Sequence, residues 1–437
     1  MIQVQKVIKG LQKVHPHFTA HHLTHYGGLY PLYYFFNAIH LRRRFERGLV
    51  FQRKHEHYST ADQLLLILTS IIVGLDRLAL TRQLHQDNYV RHLLGLKDYP
   101  VPSTIRRFLH SWRKEDLAAL VEIHNKLRSS FLAPAHTMTI NLDTTVLTVY
   151  GETEGSVIAY NPQKRNRPSY QAFIGSEALS ETTLQGELIS GKRVSGAQTT
   201  DFVMRCLHRI PLSVEGLRLR ADSGFYCSEV VDFLEDRGFH YAIVARVTKP
   251  IKARLAALRY ERAPHDWQTS SFSYQPINWR APRRYIVIRH PLKQDEDDQL
   301  ALFPLERYAY RVLVTNFDFA PYQVWRFYKQ RAKIELAIKE LKNDFPLGKI
   351  PTRLQLANST YAELILLAYD LLIYFKTRCL PEKLHRVKLE TLRHALFWEP
   401  AEFIRRGNRN VIKFQRNSPL QGFLPFIERR IHALKIS

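Results

Sequence analysis

The sequence predicts an α/β protein, a mixed sheet flanked by helices, with a β-rich insertion and with helical N- and C-terminal regions. Three observations carry that expectation. Up to residue 132 the apolar residues recur at helical spacing, and from Pro134 the spacing becomes that of strands. Between Met138 and Val247 strand-like and helix-like stretches alternate, as in a layered α/β sheet. From Lys249 to Leu305 that alternation gives way to short alternating segments and two tryptophans, before a strand and a run of helix formers return. The expected divisions are 1–132, 133–248, 249–305, 306–345 and 346–437.

A chain of 437 residues is long enough for a large core and two or three structural units. Its formal charge of +24 and pI near 9.9 point to a large anionic partner, nucleic acid before membrane. Cys206, Cys227 and Cys379 show no CxxC spacing, which argues against a zinc module or a disulfide framework and fits a reducing compartment. Lys6, Lys9 and Lys13 interrupt the first apolar residues, so no signal peptide is expected. The apolar runs Leu64–Leu75 and Leu364–Phe375 are too short to span a bilayer, and the second contains Asp370. A soluble, cytoplasmic protein is the expectation.

Residues 1–60 hold nine Lys/Arg against two Glu, with His15, His17, His21, His22 and His25 nearby. His21 and His25 have i,i+4 spacing but no acidic or Cys companion, so a solvated or DNA-facing segment is expected rather than a metal site. Asp62–Leu68, Leu78–Leu84 and Leu117–Leu127 read as helices. Pro102–Phe108 reads as a turn and a helix capped by Ser103 or Thr104, presenting Arg106 and Arg107 as a helix-turn-helix reader of DNA would. Met138–Asp143, Val146–Tyr150, Gln185–Val194, Leu217–Ala221 and His240–Val247 read as strands, and Thr200–Ile210 and Ser228–Asp236 as helices. The run Asp295-Glu296-Asp297-Asp298 reads as a solvated loop. After Pro346 come helices and a basic tail with Arg405, Arg406, Arg409, Lys413 and Arg416.

Asp143, which ends or lies late in its strand, and Asp222, which ends a later one, are expected to share one crevice, because the carboxyl ends of neighbouring strands open into the same space. The run Tyr328–Lys342 has no Gly or Pro and reads as one helix. On a helical wheel Phe327, Ile334, Ala337, Ile338 and Leu341 form an apolar stripe. Tyr328, Arg331, Glu335 and Lys342 fall within an arc of roughly 60° beside it. Such i,i+4 pairs often only solvate a helix. Joined to Asp143 and Asp222, however, Glu335 completes an oxygen-ligand set for two Mg²⁺ ions, with Mn²⁺ as substitute.

The order Asp143, Asp222, Glu335 resembles the DDE transposases of bacterial insertion sequences. Tyr328-x2-Arg331-x3-Glu335-x6-Lys342 is similar at every spacing to the Tyr-x2-Arg-x3-Glu-x6-Lys signature of one cut-and-paste group. Leu142-Asp143-Thr144-Thr145, Tyr160-Asn161-Pro162 with Tyr170, and Ala221–Phe225 resemble that group's first and second Asp regions. The resemblance implies an RNase H-like core with the β-rich insertion before the last catalytic helix. It implies phosphodiester cleavage and strand transfer by Asp143, Asp222 and Glu335 with two Mg²⁺, and phosphate contacts from Tyr328, Arg331 and Lys342. An insertion tryptophan would stack on a flipped base, Trp279 first and Trp267 second. Implied partners are terminal inverted repeats, target DNA and a second subunit in a homodimer, in the bacterial cytoplasm at the nucleoid. A silent DNA-binding regulator and a general RNase H-like nuclease are the alternatives.

Overall fold

The structure, a computed structural model, describes residues 22–49, 57–132, 134–159, 161, 164–191, 195–292 and 308–434. His15, His17, His21, Tyr160, Pro162 and the acidic run 295–298 lie outside them. The described residues open with a short strand, β1 (Leu23–Thr24), followed by helices. The helix Thr60–Ile72 begins in a reciprocal cap: Asp62 N–H donates to Ser59 Oγ, and Ser59 N–H donates to the Asp62 carboxylate. The helix Pro102–His110 starts at its proline, and neither Ser103 nor Thr104 caps it, because Pro102 sets the first-turn backbone without a side-chain cap. Its Ile105, Phe108 and Leu109 are buried, which leaves Arg106 and Arg107 exposed.

Strand β2 (Thr137–Thr148) stands third in the order of a ten-stranded sheet. Beside it run β3 (Val157–Ile158), β4 (Pro168–Glu177) and β5 (Thr183–Ser190) on one side, β6 (Gly216–Ala221) and β7 (His240–Val244) on the other. The order β5-β4-β2-β6-β7 has β4 antiparallel to β2 and β5, while β2, β6 and β7 are parallel. The expected insertion opens with a helix, Lys249–Ala257, which buries Ile251 and Leu255 at i,i+4 spacing. It then supplies β8 (Glu261–Arg262), β9 (Gln268–Tyr274) and β10 (Arg283–Pro291). Because β11 (Tyr308–Thr315) pairs with both β10 and β7, these strands extend the central sheet instead of forming a separate one.

The pleat sorts side chains by parity. Met138, Ile140, Leu142, Leu219 and Ala221 face a core closed by the helices Gly196–Leu207 and Ser228–Glu235. Asn141, Asp143, Arg220 and Asp222 therefore face the opposite layer, which holds the helices Pro321–Lys329, Ala332–Asn343 and Gln355–Cys379. The last of these has 25 residues and could cross a membrane by length and composition, but 83% of its most apolar window is buried inside the protein. It carries Glu363 and Asp370 into a buried network. His124 sets Nδ1 2.6 Å from Glu363 and Nε2 2.9 Å from Asp370, and Arg128 and Thr183 also donate to Asp370. This network ties the N-terminal helix Lys114–Phe131 and strand β5 to the long helix.

The C-terminal region is not wholly helical. Ala401–Arg406 (β12) and Arg409–Phe414 (β13) form a hairpin, and β12 also pairs with β1.

Candidate active site

Asp143 does not end a strand. Residues 137–148 are one continuous β2, held past Asp143 by pairing with β4 as far as Thr148 opposite Ser169. On its other side β6 stops at Ala221, which lies opposite Leu142. Asp143 thus stands where β2 loses its parallel neighbour, and Asp222, the residue after β6, stands at the same level on the same face. Asp143 Oδ1 accepts from Thr144 N–H at 2.8 Å. Asp222 Oδ1 accepts from Gly224 N–H at 3.0 Å, which fixes the sharp turn that follows.

Glu335 comes to this place on the helix Ala332–Asn343, which packs Ile334, Ile338 and Leu341 into the core. The expected single helix is divided. Pro321–Lys329 ends, Arg331 N–H bonds to Tyr328 O at 2.9 Å in a tightened i→i−3 turn, and the next helix starts at Ala332. Arg220 lies at the break. Its guanidinium donates to Phe327 O at 2.8 Å, the carbonyl that a continuous α-helix would offer to the Arg331 amide. Arg220 also donates to Gln330 Oε1 at 3.2 Å and to Asn141 Oδ1 at 2.8 Å. Burial pulls its guanidinium down to about 10.

Arg331 occupies the middle of the site. Nε donates to the Tyr328 hydroxyl at 2.9 Å, Nη2 donates to Glu335, and Nη1 lies 3.0 Å from Asp143 Oδ2. That last contact is an ion pair without hydrogen-bond alignment. One guanidinium therefore bridges the first and third carboxylates. The Tyr328 ring is buried among Val324, Phe317 and Leu313, so only its oxygen belongs to the polar site. At the far end of the helix Lys342 Nζ donates to Thr145 Oγ1 at 3.2 Å and Val146 O at 3.3 Å.

The electrostatics favour a cation. Burial pushes the Asp143 carboxyl up against the pull of Arg331. Asp222 is pushed up to about 6, by burial first and then by the Asp143 carboxylate beside it. Among the described residues no three His, Cys, Asp or Glu side chains converge closely enough to hold a metal. Asp143 and Asp222 offer hard oxygen donors that suit a divalent ion. Glu335 is held apart from them by its ion pair with Arg331.

Two cavities adjoin this face. A cleft of about 540 Å³ is lined by Lys342 with Arg77, Arg106, Lys164 and Lys349, and so joins the N-terminal helices to the sheet. Arg107 is not among its lining residues and donates to Thr104 Oγ1 instead. A second cavity, of about 570 Å³, is lined by Trp267, Trp325, His265, Arg326 and Lys329, with the two indoles 5.6 Å apart. Trp279 lines neither cavity. It packs 5.1 Å from Tyr226, and its basic neighbours are engaged within the fold: Arg280 with Asp236, Arg283 with Asp232 and Glu235, Arg284 with Phe317 O. Sequence reasoning missed Arg220 and Asn141. The signal was the matching spacing, each two residues before an acid and hence on the same face.

The family described as "Transposase DDE domain group 1" matches residues 6–436 of the chain. Among solved structures the chain is similar to a piggyBac transposase synaptic complex with hairpin DNA, at a TM-score of 0.47 and 10% identity, over 84% of this chain and 79% of that one. No curated protein matches the sequence.

Proposed function

Because the chain belongs to the transposase DDE domain family, group 1, we propose that it cuts DNA at the ends of a mobile element and joins the freed 3′-hydroxyls to target DNA. The observation that carries this reading is that Asp143 and Asp222 stand side by side on one face of the sheet, with Arg331 linking Asp143 to Glu335 and Lys342 further along the same helix. The strand order β5-β4-β2-β6-β7, with β4 alone reversed relative to β2, supports an RNase H-like core.

Asp143, Asp222 and Glu335 are the residues that would hold Mg²⁺, or Mn²⁺ in its place, which supplies Lewis-acid stabilisation of the attacking and leaving oxygens. The chain's own groups bind and orient the DNA. Arg331 is a fork suited to two phosphate oxygens, and a phosphate entering the site can replace the carboxylates it now bridges. The Tyr328 hydroxyl fixes the plane of that fork. Lys342 supplies a point charge further along the strand, at the mouth of the basic cleft that receives the DNA backbone. The aromatic cavity around Trp267 and Trp325 offers a stacking surface for a base. Pairing of two inverted-repeat ends calls for a homodimer in the DNA complex, acting on bacterial DNA at the nucleoid.

The test is cleavage of a supercoiled plasmid carrying the repeats that flank the gene. D143A, D222A and E335A should each abolish Mg²⁺-dependent cleavage and keep DNA binding. Substantial cleavage by any one of them refutes the reading. Binding by the wild type without strand breakage would favour a silent regulator.

A further inference from the structure

The hairpin Ala401–Phe414 lies outside the candidate active site, on the helical part of the protein. Its cross-strand pairs place Ala401, Phe403, Arg405, Asn410, Ile412 and Phe414 on one face and Glu402, Ile404, Arg406, Arg409, Val411 and Lys413 on the other. The first face is anchored. Phe403 packs 5.2 Å from both Tyr89 and His92 on the helix Asn88–Leu94, and Asn410 Nδ2 lies 3.2 Å from His92 Nε2. Phe403 N–H donates to His22 O at 2.7 Å, and Thr24 donates to Asp87, the residue that caps the same helix. Two ends of the chain, nearly four hundred residues apart, thus brace one ribbon.

The second face grades from base to tip. Lys413 pairs with Glu402 at 3.3 Å, Ile404 stands opposite Val411, and Arg406 stands opposite Arg409. The turn between the last two is Gly407-Asn408, with Gly407 at φ +62 in the left-handed region that a two-residue hairpin turn uses. Like charges directly opposite each other destabilise a hairpin. Among the described residues no carboxylate pairs with Arg406 or Arg409, and both are exposed. Two opposed guanidiniums at an exposed tip offer paired charge to an external polyanion.

We propose that this ribbon is a second DNA-binding element, which enters a groove of duplex DNA with Arg406 and Arg409 on its phosphates. Past the anchored Phe403, the three pairs from Ile404↔Val411 to Arg406↔Arg409 span about 10 Å at ~3.3 Å per residue. A two-stranded ribbon fits the major groove of B-form DNA, which is about 12 Å wide. The proposal rests on the reading of DNA as substrate and adds to it a contact distinct from the catalytic face.

The experiment is fluorescence anisotropy of the full-length protein on a labelled 40-base-pair duplex of arbitrary sequence, across a series of NaCl concentrations. R406A/R409A should lower the log–log salt slope by about 1 to 2 and weaken binding on the order of 10-fold at 0.15 M salt, since each lost phosphate contact removes roughly 0.9 from the slope. R406K/R409K should keep the slope. The thermal transition of R406A/R409A should not fall, because the substitution removes a repulsion. K252A/R262A, the same change of charge at exposed positions of the insertion, should have a smaller effect. An R406A/R409A protein that binds as the wild type does, while the wild type keeps its steep salt dependence, overturns the ribbon and leaves the DNA reading intact. An equal loss in K252A/R262A, or an equal loss on single-stranded DNA of the same length, also overturns it. A wild type with no salt-dependent DNA binding overturns both.

Discussion

Replacing Arg220 by Met separates stability from activity. The substitution frees Phe327 O, to which the Arg331 amide N–H can then donate as it would in a continuous α-helix. The tightened turn advances about 120° per residue and an α-helix about 100°, so restoring two residues to α geometry turns the Glu335 helix by roughly 40° relative to the Tyr328 helix. A carboxylate ~5 Å from the helix axis moves by ~3–4 Å under that rotation. Misplacement of even about 1 Å at a reacting centre can lower a rate 10²-fold, so cleavage should fall by at least that factor. Stability should change little. The buried Asn141 oxygen loses its donor, a loss of about 1–3 kcal/mol. Relief of the burial that holds Arg220 down to about 10 offsets this by roughly 3 kcal/mol at ~1.4 kcal/mol per pKa unit. Urea denaturation should thus place R220M within about 2 kcal/mol of the wild type, with plasmid cleavage nearly lost. R220M that cleaves within about threefold of the wild-type rate refutes the account of how the helix is divided.

Three further outcomes follow from the geometry. The Asp222 carboxyl, raised to about 6 in the fold against about 3.9 in an unfolded chain, binds more protons folded than unfolded between those values; it favours the fold below about pH 4 and loses that contribution as pH rises through 6. D222N should therefore raise the stability measured in EDTA by about 2–3 kcal/mol at pH 8 and hardly at all at pH 4, and an equal effect at both would contradict the burial assigned to this acid. His124→Leu leaves Glu363 and Asp370 buried without one partner, and chemical denaturation should register a loss of about 3–5 kcal/mol; a change under about 1 kcal/mol would show that the network is not what joins these elements. R106E should reduce the salt slope of DNA binding more than R107E does, since only Arg106 lines the cleft with Lys342; the reverse order would exclude the cleft as the path of the backbone.

Much of the local structure was legible from periodicity. The even-numbered apolar residues of β2 and the pair Leu219 and Ala221 announced one buried face, and by parity the other face had to carry Asp143 and Asp222. The hairpin was legible too, in Gly407-Asn408 between alternating residues, but the density of arginine made the segment read as a basic tail. Beside Trp279 lie Arg280 and Arg283; their partners Asp232, Glu235 and Asp236 lie 44 or more residues earlier in the chain, and no local pattern reveals them.

By itself the sequence determined which residues could carry the chemistry: three acids in order, a helix-forming run spaced Tyr, Arg, Glu, Lys, and an excess of positive charge for a polyanion. Those are properties of side-chain type and of spacing along a regular backbone, both of which are local. Tertiary structure alone decided where β2 outlasts β6, which cavity each cation lines, and that the Tyr328 run breaks in two. At the break the Arg331 amide bonds to Tyr328 O rather than to the carbonyl four residues back. The carbonyl of Phe327 is taken by a guanidinium 107 residues away in sequence, a partner that exists only once the sheet and the helix have met.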